Sequence, residues 1–129
     1  MNSDRPLHAV MTTALLFVSL VFFVLSGLFI LVPVAGARVH GLEAHTAASL
    51  FYIQAIGLRD LALACYILGL TLFGQRRALA ILLALTIVIP AGNLLLLGIT
   101  GTGAVLNYAL HAMSLITFAL LAFWVYPYS

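Results

Sequence analysis

The chain contains no lysine and very little charge of either sign: 6% of its 129 residues are charged. A water-soluble domain usually carries about 25% charged residues, so water is excluded as the solvent for most of this surface. Five arginines oppose Asp4, Glu43 and Asp60, for a formal net charge of +2. They form no basic run, and nucleic-acid binding needs a stripe of cations facing phosphates, so no nucleic-acid partner is expected. The single cysteine, Cys65, excludes an internal disulfide and the paired thiols of a thiol oxidoreductase. It lies inside an apolar segment and reads as packing. No Asn-x-Ser/Thr acceptor is present.

What is abundant is hydrocarbon: 65% of the residues are hydrophobic and the mean hydropathy is +1.26. A bilayer core about 30 Å thick is crossed by about 20 apolar helical residues. The hydropathy pattern predicts four such helices in one domain, over about residues 8–32, 47–73, 78–97 and 104–126. Pro33 stops the first and a loop follows to Thr46, which is placed to cap the second. The first apolar stretch exceeds the ~7–15 residues of a signal-peptide core and reads as a retained helix. Short connections predict an all-α, up-down-up-down integral-membrane bundle. Ala55, Gly57, Ala62, Ala64 and Gly69 would let neighbouring helices approach closely.

Arg5, Arg76 and Arg77 fall on one side of such a bundle and Arg38 on the other. The excess of cations marks the cytoplasmic side, which puts both termini there in a multi-pass protein. The host membrane would be the endoplasmic reticulum in a eukaryote or the inner membrane in a bacterium. Trp124, Tyr126 and Tyr128 read as interfacial anchors.

Against this background a few polar residues are conspicuous. Arg59 and Asp60 lie about 18–20 Å into the second helix at 1.5 Å per residue, near the midplane, where an ionisable group costs about 2.5–3.5 kcal/mol or more. Such groups face a bundle interior and are functional candidates by default. Successive helical residues point 100° apart, so the two side chains are expected to splay toward different partners. Asn107 and His111 share one face of the fourth helix. Gln54, and Asn93 just after the helix-loosening Pro90, reach a similar depth from the same side. These six groups predict a polar cavity, with Tyr52 near it and His45 over its mouth.

No metal site is expected. His40, Glu43 and His45 are loosely spaced and match no strong zinc pattern, so they read as solvated loop residues. A bis-histidine haem is not expected either, because His8 and His111 fall at opposite membrane faces with no second deep histidine between them.

The runs Gly-Leu-Glu-Ala-His-Thr at 41–46 and Ile-Gly-Leu-Arg-Asp-Leu-Ala-Leu at 56–63 resemble the signature of a small four-helix integral-membrane family of bacteria and fungi. That family is catalogued as domain of unknown function 4267. Gln-Arg-Arg-Ala-Leu-Ala at 75–80 and Leu-His-Ala at 110–112 are similar too, so the likeness covers most of the chain from about Gly27. The resemblance implies an acidic residue in the third helix, where this chain has the neutral Asn93. It also implies lipophilic small-molecule substrates, since fungal members accompany natural-product pathways. It brings no assigned reaction.

Three functions compete. The first is a cofactor-independent isomerase, cyclase or epoxide-opening enzyme acting on a lipophilic substrate such as a natural-product intermediate. Asp60 would be its acid or base, Arg59 would hold a substrate oxygen or developing negative charge, and His111 would be the complementary proton-transfer group. Gln54, Asn93, Asn107, Tyr52 and His45 would bind substrate. The absence of a nucleotide-binding loop, a cysteine pair or a haem pattern leaves proton transfer as the chemistry these side chains offer. The second is a proton-coupled carrier or small channel, in which a homodimer would complete the path. The third is a membrane scaffold subunit whose polar groups bind partner helices.

Overall fold

A computed structural model describes residues 8–128, the side chain of Tyr128 excepted. Asp4 and Arg5, with the latter's part in the orientation argument, and the Tyr128 side chain as an anchor lie outside the described residues. Among those residues every regular element is helical: α1 (Ala9–Leu31), α2 (Pro33–His40), α3 (Ala47–Leu72), α4 (Arg76–Thr86), α5 (Val88–Thr100) and α6 (Val105–Val125). Four stretches are long and apolar enough to cross a membrane: α1, α3, α4 with α5, and α6. The protein is thus compatible with a multi-pass membrane protein. Large apolar side chains such as Phe17, Phe51, Leu95 and Phe123 stand on its outer surface, as contact with lipid requires.

Two differences from the sequence reading matter. The expected loop after Pro33 begins as a helix. Proline is well suited to the first turn of a helix, where its missing N–H is not needed, and α2 starts on Pro33 itself. It ends at Gly41, whose positive φ of 95° lets the Gly41 and Leu42 amides turn back onto the Arg38 and Ala37 carbonyls at 3.3 and 2.8 Å, a Schellman closure. The third span is broken, not continuous. Pro90 cannot donate to the Thr86 carbonyl and its ring crowds that oxygen. The helix is interrupted at Ile87 accordingly.

Thr46 caps α3, its Oγ1 accepting from the Ser49 amide at 3.1 Å. α3 and α1 run in opposite directions against each other: Ser19 Oγ donates to the Ala64 carbonyl at 2.9 Å, and Gln54 Nε2 to that of Ile30 at 3.1 Å. Between these points Gly57 brings the two backbones together. A Cβ there would stand 2.9 Å from Phe29 Cβ and 3.1 Å from the Ser26 carbonyl. Of the other small residues, Ala64 is fully buried, whereas a Cβ at Gly69 would meet no atom within 4 Å.

The molecule is closed at one end by a shared apolar core. Met11, Leu15, Ile67, Leu79, Leu83 and Phe118 meet there from α1, α3, α4 and α6. At the other end a smaller cluster of Phe29, Ala37, Ala44 and Ile53 seats α2 on α1 and α3. α3 packs on α1 and more lightly on α4, while α4 and α5 both pack on α6. Beyond the Ile87 break, then, α5 follows α6 and not α3, and α2 stands between the two helix pairs.

Candidate functional site

Arg59 and Asp60 occupy the midpoint of the 26-residue α3. They do not splay to separate partners, as the 100° step suggested. The long arginine side chain turns back, and Nε and Nη2 both donate to Asp60 Oδ1, at 3.1 and 2.9 Å. Asp60 is buried, with 5% of its side chain exposed, whereas 38% of the Arg59 side chain is exposed. Among the described residues Oδ2 of Asp60 accepts no hydrogen bond. The pair therefore presents one uncommitted carboxylate oxygen and three uncommitted guanidinium hydrogens at mid-helix.

His111 faces this pair from α6, within electrostatic reach of Asp60. Its Nε2 lies 3.1 Å from the His40 carbonyl and its Nδ1 3.5 Å from Asn93 Nδ2. A carbonyl only accepts, so Nε2 carries the hydrogen, and Nδ1 is the nitrogen that can take a proton. The His40 ring crosses that of His111 edge-on, with centroids 4.8 Å apart, and leans on Phe29 at 6.1 Å. His40 lies outside the four spans. Burial, then the charges of His111 and Arg59, hold its imidazole below the ordinary 6.5, at about 4. The sequence reading placed His40 in solvent; it is half-buried instead and packs on His111.

Asn107 is fully engaged by backbone. Its Nδ2 donates to the Arg38 and Val39 carbonyls at 2.8 and 2.9 Å, and its Oδ1 accepts from the Ala104 amide at 2.7 Å. Together with His111, one turn later, it pairs three carbonyls in the last turn of α2. The final carbonyls of a helix have no intrahelical donor, and α6 supplies donors from its side chains. Gln54 does the same for Ile30, near the end of α1. Three of the six polar groups expected to line a cavity, Gln54, Asn107 and His111, are thus tied to main chain.

Tyr52 is 67% exposed and stacks edge-on with Phe51, on the outer surface. His45 is exposed and lies 3.8 Å from Glu43, apart from His40. Among the described residues no three His, Cys, Asp or Glu side chains gather into a metal-binding set. What the structure brings together is Arg59, Asp60, Asn93, His111 and His40. All but Asp60 are half-buried, on the facing sides of α2, α3, α5 and α6. The sequence reading missed His40 because it missed α2; proline at 33 and glycine at 41, one short helix apart, were the available signal.

No curated protein and no solved structure matches the chain. The family model described as Domain of unknown function (DUF4267) matches residues 19–125, which takes in the whole of this site, and the chain belongs to that family.

Proposed function

We propose that the protein is a cofactor-independent enzyme that isomerises, cyclises or opens an epoxide in a lipophilic small molecule, with Asp60 as the proton-transfer group. One observation carries the reading. A buried carboxylate is fixed through Oδ1 by Arg59, while Oδ2 has no hydrogen-bond partner among the described residues. A purely structural ion pair in an apolar setting repays its desolvation only when its remaining polar atoms are satisfied. In an isomerisation Oδ2 removes a proton from one substrate atom and returns it to another, so bonds and charge balance without a co-reactant. Arg59 stabilises negative charge as it develops. His111 Nδ1 is the second proton acceptor, reached by displacing the long contact to Asn93. An apolar substrate enters where α5 departs from α3.

A scaffold reading has one observation in its favour, the use of Gln54 and Asn107 on backbone carbonyls. It leaves the Arg59–Asp60 pair unexplained. The two are separated by incubating the protein in lipid nanodiscs with a lipophilic extract of its host and following the components by liquid chromatography and mass spectrometry. The enzyme should convert a component to an isomer of unchanged mass, or add one water, and Asp60→Asn should slow this by about 10²–10⁴-fold. Co-purification of a membrane partner with no conversion would establish the scaffold. Passage of an unaltered compound across sealed liposomes would establish a carrier.

A further inference from the structure

We infer that the molecule accepted at this site carries an oxyanion headgroup, a carboxylate or enolate, on an apolar body, and that the guanidinium of Arg59 holds it. The inference rests on the reading of the Arg59–Asp60 pair as a substrate site and adds the chemical class of the substrate.

The donors are the first argument. Arginine has five N–H hydrogens in a flat fork; two go to a single oxygen of Asp60, and among the described residues the other three have no partner. The exposed 38% of the side chain lies midway along an apolar helix, where an unsatisfied cationic donor is costly. A planar pair of oxygens matches the fork.

The surroundings are the second. Asp60 spends one oxygen on Arg59, and His40 and His111 lie within electrostatic reach of the pair. His40 is neutral above about pH 4, so the guanidinium is the fixed cation that an oxyanion would meet. Position is the third argument. Arg59 lies at the midpoint of α3, about 20 Å along the helix from either end at 1.5 Å per residue. A phospholipid headgroup anchored at the interface does not reach that depth, whereas the head of a smaller amphiphile does.

The test uses the full chain in phosphatidylcholine nanodiscs at neutral pH, with the fluorescent fatty acid cis-parinaric acid, its methyl ester and the corresponding alcohol as probes. Saturable binding of the acid is expected, about tenfold tighter than of either neutral probe, as one charge-assisted pair implies. Arg59→Gln should abolish the preference. Asp60→Asn should preserve or tighten acid binding, because it frees two guanidinium donors and removes a like charge. If Arg59→Gln fails to fold by size exclusion, Asp60→Asn still decides: weaker acid binding overturns the inference. If the neutral probes bind as tightly as the acid and both variants weaken them, the oxyanion is wrong while the pair remains part of a binding site. If no probe binds saturably, or no variant alters binding, the substrate-site reading falls with it. Displacement of the acid by phosphatidylglycerol added to the disc would assign the oxyanion to lipid and overturn the inference.

Discussion

The two ends of the molecule are held together by different physics. At the end containing Phe118, side chains from α1, α3, α4 and α6 interlock, and Met11, Leu15, Ile67, Leu79 and Leu83 are wholly buried. At the end containing α2, a smaller apolar cluster is joined by hydrogen bonds from side chains to main chain: Gln54 to Ile30, Asn107 to Arg38 and Val39, His111 to His40. In lipid, apolar side chains gain little from leaving their solvent, so the first end depends on shape and dispersion. At the second end the chain is broken twice, after Leu31 and after His40, and each break frees carbonyls that a bilayer cannot hydrate. The comparison separates the polar residues into two sets. Gln54 and Asn107 answer a need created by broken backbone; Arg59 and Asp60, in the middle of an unbroken helix, do not.

The largest effect should come from removing the main tie at the polar end. Asn107→Ala leaves the Val39 carbonyl and the Ala104 amide without this partner and the Arg38 carbonyl with the Gly41 amide alone, at about 1–3 kcal/mol for each buried group left unpaired. The loss should be local. Amide hydrogen exchange across residues 37–42 is expected to accelerate strongly, with a smaller drop in the thermal midpoint. Unchanged exchange there would mean that α2 is held by its apolar contacts alone. Phe118→Ala is the opposite experiment. With no large transfer term in lipid, the cost is mainly the cavity, about 100 Å³ at about 24 cal/mol per Å³, or about 2 kcal/mol. It should appear in the thermal midpoint and leave exchange over 37–42 as it was. A variant at either end that disturbs both equally would collapse the distinction.

What the sequence made legible follows the same division. Helices able to cross a membrane were readable because long apolar runs admit few other structures, and the Gly-x-Arg-Asp element of α3 pointed to the family that the match over residues 19–125 shows. The place of Arg59 and Asp60 at the middle of α3 was also readable, since helical rise converts residue number into distance along the helix. Their partners were not. Hydropathy is silent about an eight-residue helix of mixed polarity, so Pro33–His40 passed for loop and His40 for a solvated residue. Without α2, Asn107 looked like a free polar group when it is bonded to three main-chain atoms. The Arg59–Asp60 pair was misjudged for a different reason: the 100° rule fixes Cβ directions, and an arginine is long enough to reverse its course.

Gly57 lies between the two ends and tests whether they are coupled. A methyl group there would stand 2.8 Å from Ile30 Cγ1 and 2.9 Å from Phe29 Cβ, so α1 and α3 must part slightly. Gly57→Ala gains helix propensity of about 0.8–1.0 kcal/mol and loses more to overpacking, for a net destabilisation of about 1 kcal/mol. Because Phe29 also supports the His40 ring, the strain should reach α2, and exchange at residues 37–42 should rise modestly. If only the thermal midpoint moves, the two ends respond independently.

The smallest effect, and the one confined to the polar end, is set by pH. Folded His40 stays neutral down to about pH 4, below its ordinary 6.5, through burial and the charges of His111 and Arg59. The unfolded chain takes up a proton at this residue as pH falls through 6.5, and the folded chain does not until about 4. Linkage then fixes the sign: the contribution is fully present above pH 6.5 and is lost as pH falls toward 4. Other groups also change charge as pH falls, so the informative quantity is a difference between proteins. Thermal midpoints of the parent and of His40→Gln, measured in one detergent across this range, should converge as pH falls, because the variant has no imidazole at this position to charge. Parallel curves would show that His40 is hydrated in the folded protein. The α2 wedge would then be looser than its hydrogen bonds to Asn107 and His111 imply, and the contrast between the two ends would rest on Asn107 alone.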